Sequence, residues 1–230
     1  MTQIGSAPGR FLAVEGVDGA GKSTQLPRIE DWLRRRGVRT LATREPGGTP
    51  LGESLRALLL DPRFTGMSPV AELLVMFAAR AEHLAKVIAP ALEDGVWILC
   101  ERFTDATYAY QGGGRGLDSA SIEALEATVQ GDVRPDLVLV LDIPIEAGLS
   151  RAERRRQGAV VSPDGAVEVH TECGVTDRFE REDLEFFRRV REIYLERARE
   201  QPERYAVIDA SADEATVTER MIGEIAGRLL

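Results

Sequence analysis

Residues 11–24 read FLAVEGVDGAGKST, and this stretch decides the fold. An apolar run at 11–14 leads into residues 16–23, GVDGAGKS, an uninterrupted match to G-x-x-x-x-G-K-[ST]. Glycines at these positions let consecutive backbone N–H groups point inward, and the N-terminus of the following helix adds the positive end of its dipole. In this motif the lysine, here Lys22, reaches the β- and γ-phosphates, and the Ser23 hydroxyl ligates Mg²⁺. The stretch therefore predicts a phosphate-binding loop, or P-loop, between a strand and a helix.

The distribution of lysine supports this interpretation. The chain holds 29 Lys and Arg residues, and only Lys22 and Lys86 are lysines. A chain that otherwise carries its positive charge on Arg keeps Lys where a compact point charge suits phosphate. The alternative is a glycine-rich turn that ends in Lys-Ser by chance. It is disfavoured because the match lies between a strand-like segment and a helix-like one.

Composition limits the class of protein. With 230 residues, 43% hydrophobic and 29% charged, the chain fits a single globular domain over 1–230. It has no apolar run long enough for a transmembrane helix, so we expect no membrane partner. The start, MTQIGSAPGR, lacks an apolar signal core, which predicts a flexible N-terminus over 1–9 and a cytoplasmic protein. The formal net charge of −9 argues against a nucleic-acid partner.

Apolar runs alternate with helix-like segments along the whole chain. The predicted strands are 11–14, 38–43, 96–100, 136–142 and 205–209. The predicted helices are 23–36, 51–60, 69–92, 119–130, 145–156, 178–200 and 213–230, with a helical turn at 105–111, a flexible glycine loop at 112–116 and a loop or small hairpin at 158–176. This alternation predicts the P-loop NTPase fold, a three-layer α/β/α sandwich with a central parallel five-stranded sheet. Ligands are then expected at the carboxyl ends of the strands, where Gly16, Arg44, Glu45, Glu101 and Arg102 fall.

A P-loop alone predicts only a nucleotide, so the acceptor of the phosphoryl group must be argued separately. The chain has no Asn-Lys-x-Asp stretch of the kind GTPases use to read guanine. Arg residues follow several strands and crowd the segment 151–156. Phosphoryl transfer needs charge neutralisation and in-line positioning more than covalent chemistry. This equipment in a small chain favours a nucleotide kinase.

Six stretches carry a closer resemblance, in one order between residue 11 and about residue 209. They are FLAVEGVDGAGKST, TREPGGTPLGE followed by Arg56, MFAARAEHL, ERFTDATYAYQGGGRG, DLVLVLDIP and DRFERED. With them the chain resembles the thymidylate kinases (dTMP kinases) of bacterial type, in the P-loop nucleoside monophosphate kinase family. The resemblance implies transfer of the γ-phosphoryl group of ATP to dTMP with Mg²⁺ as cofactor, giving dTDP on the route to dTTP. It also implies a homodimer, with the helix 69–92 as a candidate dimer face.

The resemblance also implies roles for individual residues. Implied catalytic residues are Asp18, Lys22, Arg102 and Arg155; the metal would be held by Ser23 and Glu101. ATP would be bound by Gly16, Val17, Asp18, Gly19, Ala20, Gly21, Lys22, Ser23, Thr24 and Arg151. dTMP would be bound by Asp18, Glu45, Arg56, Phe77, Arg80, Arg102, Thr107, Tyr108 and Gln111.

Within the implied dTMP site, Arg56 and Arg102 clamp the phosphate, since the Arg fork matches phosphate oxygens bidentately. Arg80 donates to thymine O4, and Thr107 and Gln111 read the pyrimidine edge. For the ring that stacks on the base, Phe77 at i−3 from Arg80 is favoured over Met76 at i−4. Tyr108 or Tyr110 crowds the sugar 2′ position. Taken singly, these residues have plainer interpretations: Met76 and Phe77 as core, and Arg56 and Arg80 as solvated helix charges.

The segment from about 151 to 178 resembles the lid of the family. Gly19 stands where other types place an Arg in the P-loop, so the lid is expected to supply the transition-state cation. Among Arg151, Arg154, Arg155 and Arg156, we favour Arg155 for catalysis and Arg151 for stacking on adenine.

Three departures from the family pattern stand out. Glu153 interrupts the alternation of Arg in the lid, and residues 158–176 resemble an insertion relative to shorter bacterial members. Glu101 replaces the usual Asp, which predicts a Mg²⁺ contact through water. Two alternatives to a dTMP kinase stay open: a kinase for another nucleoside monophosphate, and a non-catalytic nucleotide-binding regulator.

Overall fold

A computed structural model describes residues 9–157, 178–179 and 181–230, with the backbone alone at 155–157. The predicted N-terminal tip and the predicted insertion at 158–176 therefore lie outside the described residues, apart from residue 9. Among the helices that the structure describes, none is long and apolar enough to cross a membrane.

Five parallel strands form the centre of the molecule, as predicted. They are β1 (Phe11–Glu15), β2 (Thr40–Arg44), β3 (Trp97–Glu101), β4 (Leu137–Asp142) and β5 (Tyr205–Asp209), in the order β2-β3-β1-β4-β5. β1, β3 and β4 are apolar and buried because both of their faces are covered, whereas β2 and β5 form the edges. In register, Glu101 of β3 pairs with Val14 on one side and with Arg44 on the other. The ends of β1, β2 and β3 therefore meet at one edge of the sheet.

Helices cover the sheet on both faces. They are α1 (Lys22–Arg34), α2 (Pro50–Leu60), α3 (Pro69–His83), α4 (Ala89–Glu93), α5 (Thr104–Thr107), α6 (Ser119–Gln130), α7 (Ile145–Gln157), α8 (Leu184–Glu200) and α9 (Glu214–Leu229). α1 contacts α9, and α2 contacts α3. The starts of α2 and α3 follow the sequence signals, because Thr49 and Ser68 cap them and a proline follows each cap.

The predicted helix 69–92 keeps its helical path but changes its hydrogen bonding. α3 ends at His83, a π-helical turn occupies Leu84–Ile88, and α4 follows. Pro90 has no N–H with which to continue an α-helical ladder, and the wider turn lies directly before it.

The glycine stretch 112–116 is not the flexible loop that the sequence predicted. A π-helical turn spans Tyr108–Gly114 and packs against α8. A Cβ at Gly113 would lie 2.5 Å from Cγ1 of Ile193, and one at Gly114 would lie 2.4 Å from Cε2 of Phe186. These glycines are therefore required by the close approach of α8 and not by mobility.

Candidate active site

The P-loop connects β1 to α1. Gly16, Gly19 and Gly21 have φ values of +133°, +76° and +100°, which favour glycine. Lys22 is 4% exposed, and its Nζ donates to the carbonyl oxygens of Gly16 at 3.0 Å and Val17 at 2.9 Å. Burial, reinforced by the nearby Arg102 charge, lowers the pKa of Lys22 to about 8. The loop therefore holds the Lys22 amine, which loses its positive charge at a lower pH than an exposed lysine does.

Helix α7 lies directly against this loop. A Cβ at Gly19 would lie 1.9 Å from the carbonyl oxygen of Gly148, and a Cβ at Gly148 would lie 2.8 Å from the carbonyl oxygen of Asp18. Both positions therefore lack room for a side chain. The arginine-dense end of α7 therefore belongs to a helix whose first turn touches the phosphate-binding loop.

Asp18 and Arg102 join the P-loop to the end of β3. Arg102 Nη2 donates to Asp18 Oδ1 at 2.5 Å and to the Tyr110 hydroxyl at 3.1 Å, while Tyr110 donates to Asp18 Oδ2 at 3.0 Å. Burial alone would raise the pKa of Asp18, but the charges of Arg102 and Lys22 outweigh it and lower that pKa. Arg102 has a φ of +65°, the one positive value among the described non-glycine residues. The network thus fixes the side chain of Arg102, whose backbone has a conformation that L-residues rarely adopt.

Glu15 lies behind this network and was missed at the sequence level. Its carboxylate is fully buried and accepts from the Phe103 N–H at 2.6 Å and from the Tyr194 hydroxyl at 2.9 Å. Tyr194 in turn accepts from Arg102 Nη1 at 3.3 Å. Burial, with the nearby Asp105 charge, raises the pKa of Glu15 to about 7.

The two predicted metal ligands lie together. Ser23 Oγ donates to Glu101 Oε1 at 3.1 Å at the end of the P-loop. Hydroxyl and carboxylate oxygens suit Mg²⁺, which commonly takes few protein ligands and fills its octahedron with water and phosphate. No cluster of three or more His, Cys, Asp or Glu side chains that would suit a metal occurs in the part of the chain that the structure describes. The residues at this position therefore fit a Mg²⁺ ion that arrives with a nucleotide.

A cavity of about 100 Å³ opens next to Asp18 and Arg102. Its lining includes five of the predicted dTMP-binding residues, namely Asp18, Glu45, Arg56, Arg102 and Gln111. The rest of the lining is largely apolar or aromatic: Pro46, Leu60, Met76, Ala106, Tyr110 and Phe179. Such a mixture of apolar walls and a few converging polar groups is typical of small-molecule sites.

Arg80 and Thr107 lie together behind the lining. Arg80 is fully buried; its Nε donates to Glu45 Oε2 at 2.7 Å, and its Nη2 donates to Thr107 Oγ1 at 3.0 Å and to the Phe103 carbonyl at 3.1 Å. Its Nη1 has no hydrogen-bond partner among the described residues. His83 holds the other oxygen of Glu45, with 3.1 Å between Nδ1 and Oε1. Arg80 is therefore fixed in place with one donor left over.

Two aromatic residues predicted at the dTMP site, Phe77 and Tyr108, do not line the cavity. Phe77 does not line the cavity; it packs with Leu73, Tyr108 and Ile122 in a small second core, while Met76 lines the cavity instead. Tyr108 is also in that core and donates to Glu126 at 2.5 Å, whereas Tyr110 faces the cavity. Met76 and Phe77 therefore lie on different sides of α3, which packs against both α2 and α6.

The lid predictions are covered only in part. Arg151 Nη1 donates to the Ala210 carbonyl at 2.8 Å, and its Nη2 donates to the Ser211 carbonyl at 3.3 Å, so it is held on the loop between β5 and α9. Arg154 is exposed and donates to the Ser150 carbonyl. The side chains of Arg155 and Arg156 lie outside the described residues, and the catalytic role of Arg155 stays a prediction.

Comparison with known proteins gives a consistent result. The sequence model of the thymidylate kinase family matches residues 14–221. A thymidylate kinase of Pseudomonas syringae pv. syringae is 54% identical over 209 residues, 91% of each chain, and one of Chromohalobacter salexigens is 50% identical over 96% of this chain and 97% of its own. The crystal structure of the thymidylate kinase of Ehrlichia chaffeensis superposes with a TM-score of 0.73 at 32% identity, covering 95% of this chain and all of that one.

Proposed function

Since the chain belongs to the thymidylate kinase family, we propose that it transfers the γ-phosphoryl group of ATP to dTMP, giving dTDP. The observation that carries the proposal is the contact between Asp18 of the P-loop and Arg102 beside the cavity. This pair joins a triphosphate-binding loop to a second site with phosphate-binding arginines. Two nucleotides bound there would meet with their phosphates at Asp18.

On the donor side, the P-loop amides and Lys22 bind the triphosphate of ATP, and Arg151 lies on the loop where adenine is expected. Ser23 and Glu101 would hold Mg²⁺, and the metal would neutralise charge on the phosphates of ATP. Lys22 adds its own positive charge. Burial lowers the pKa of Lys22, but the negative phosphates would favour its charged form.

On the acceptor side, Arg56 and Arg102 clamp the dTMP phosphate, and Met76 takes the place proposed for Phe77 against the base. Arg80 Nη1 is a free donor and Gln111 Oε1 a free acceptor among the described residues. A 4-oxo pyrimidine with an N3–H presents the complementary acceptor and donor. Tyr110, held on Asp18 and Arg102, is the tyrosine placed to crowd the sugar 2′ position.

We further propose a homodimer through α2 and α3. Large apolar side chains are exposed on these packed helices and on the turn between them: Leu51, Leu58, Phe64, Val70 and Leu74, at 37–56% exposure. Such a concentration on one part of a surface marks an interface. Light scattering of the wild type and of Leu74→Asp tests this proposal. We expect a dimer and a monomer, and a monomeric wild type would overturn it.

The activity is tested with a panel of acceptors, dTMP, dUMP, dCMP, UMP and AMP, with ATP and with or without Mg²⁺. We expect ADP release to be fastest with dTMP and to need Mg²⁺. Faster turnover of another monophosphate would establish the alternative kinase. Binding of ATP without turnover of any acceptor would favour the non-catalytic regulator.

A further inference from the structure

Glu72 of α3 is a fully buried carboxylate outside the cavity lining, and no sequence pattern predicted a role for it. Three side chains donate to it. Gln111 Nε2 reaches Oε1 at 2.7 Å, Arg115 Nε lies 3.3 Å from both oxygens, and Arg178 Nη1 reaches Oε2. One carboxylate therefore joins α3, the turn over Tyr108–Gly114 and the segment that follows residue 177.

The contact with Glu72 fixes the orientation of the Gln111 amide. A carboxylate that faces two guanidinium groups accepts hydrogen bonds and has none to donate. The Gln111 amide must therefore present its NH₂ group to Glu72. Its carbonyl oxygen is left buried without a partner among the described residues, on a side chain that lines the cavity.

We propose that Glu72 is a positioning residue for base selection. By holding the NH₂ end of Gln111, it makes the cavity offer an acceptor to the pyrimidine edge. Thymine and uracil carry an N3–H that donates to such an acceptor, whereas cytosine carries a bare N3 that repels it. This inference rests on the proposed function, since it concerns which pyrimidine monophosphate that site prefers.

A purely structural role must be separated from this one, because Glu72 also neutralises buried Arg178, which donates in addition to the Leu59 carbonyl. Loss of that ion pair would lower the stability of the protein, and hence its activity with every substrate alike. It would not change the ratio of kcat/KM for dTMP to that for dCMP. That ratio is therefore the readout that distinguishes positioning from structure.

The test compares Glu72→Gln with Glu126→Gln. Glu126 is also a buried carboxylate; it accepts from Tyr108, forms an ion pair with Arg134, has no hydrogen bond to Gln111 among those described and does not line the cavity. A carboxamide at 72 can meet either end of Gln111, so we expect the dTMP:dCMP ratio to fall about tenfold or more, mainly through the KM for dTMP. Glu126→Gln should leave the ratio unchanged. In a Gln111→Ala background, Glu72→Gln should no longer change it.

If Glu72→Gln does not fold, the wild-type protein supplies the measurement. Hydrogens of the Gln111 side-chain amide, assigned by NMR through their loss in Gln111→Ala, should exchange slowly both with and without dTMP. An active wild type with an unchanged ratio in Glu72→Gln, or fast amide exchange, would overturn this inference. A wild type that fails to phosphorylate dTMP would instead overturn the proposed function.

Discussion

Gly19 of the P-loop lies so close to Gly148 of α7 that a Cβ on it would approach the Gly148 carbonyl oxygen to 1.9 Å. Gly148 has no side chain either, and its own Cβ would meet the Asp18 carbonyl. The P-loop and helix α7 therefore lie backbone against backbone. An arginine at position 19 would not fit this arrangement, and this is consistent with the prediction that another arginine supplies the catalytic cation.

Gly19→Ala should lower kcat and weaken ATP binding, because the added methyl group must push the P-loop and α7 apart. Neither neighbour can move cheaply, since the atoms it meets are backbone. The matched control is Gly37→Ala, at a residue with the same φ of +76° and nothing within 4 Å of its Cβ. Gly37→Ala measures the cost of the left-handed conformation alone, about 1–2 kcal/mol. Equal losses of stability and activity in the two variants would contradict the role of the contact.

Met76 and Phe77 are adjacent but should give opposite results. Met76→Ala is expected to raise the KM for dTMP several-fold with little change in thermal stability, because Met76 lines the cavity. Phe77→Ala is expected to lower the free energy of unfolding by about 3–5 kcal/mol, because it empties a buried position. Steady-state kinetics and denaturant unfolding on both variants decide the matter. A larger KM change in Phe77→Ala would restore the original assignment.

Met76 and Phe77 also show which features of the structure the sequence could predict and which it could not. The five strands and the P-loop could be predicted because apolar runs and a spaced glycine motif are local properties of the chain. Whether Met76 or Phe77 faces the cavity depends on how α3 is rotated against α6, and both side chains are apolar enough for either place. The same ambiguity affected Tyr108 and Tyr110.

Tertiary contact also explains what the sequence missed. Glu72 resembles an ordinary helix-surface charge until Arg115, Arg178 and Gln111 are brought to it from distant segments. Gly113 and Gly114 suggested flexibility because the approach of α8 cannot be read from their neighbours in sequence. Local pattern thus predicted the elements, and the partners across elements had to come from the structure.

Lys22 should give the free enzyme an alkaline limit. With its pKa lowered to about 8 by burial and by Arg102, the amine loses its charge as the pH rises above that value. We expect kcat/KM for ATP, which reports the free enzyme, to fall above about pH 8. Lys22→Arg, whose side chain stays charged, should have lower activity overall, and its kcat/KM should no longer fall above about pH 8. The same decline in Lys22→Arg would assign the titration to another group.

Glu15 should make stability depend on pH between about 4.5 and 7. Because burial and Asp105 raise its pKa to about 7 in the folded protein, from 4.5 when unfolded, the folded state binds more protons over this window. The stability contributed by this group is therefore greatest below pH 4.5 and is lost as the pH rises through 7. Glu15→Gln removes the titration and keeps an acceptor for Phe103 N–H.

We expect the difference in unfolding free energy between pH 5 and pH 8 to change by roughly 1–3 kcal/mol in Glu15→Gln relative to wild type. On going from pH 5 to pH 8, Glu15→Gln should lose less stability than the wild type does. Denaturant titrations at the two pH values measure it. Identical differences in the two proteins would show that Glu15 is not the group responsible.

Arg155→Ala tests the lid. Helix α7 touches the P-loop at Gly148 and carries residue 155 two turns further along. If Arg155 supplies the transition-state cation, kcat should fall by about 10³–10⁵, the value of an arginine finger in phosphoryl transfer, with little change in the KM for dTMP. Arg154→Ala is the matched control, since Arg154 is exposed and donates only to the Ser150 carbonyl among the bonds described for it. An unchanged kcat in both variants would move the role to Arg151 or Arg156, and Arg151→Ala and Arg156→Ala would show which of them carries it. A fall in kcat confined to Arg154→Ala would assign the role to Arg154 instead.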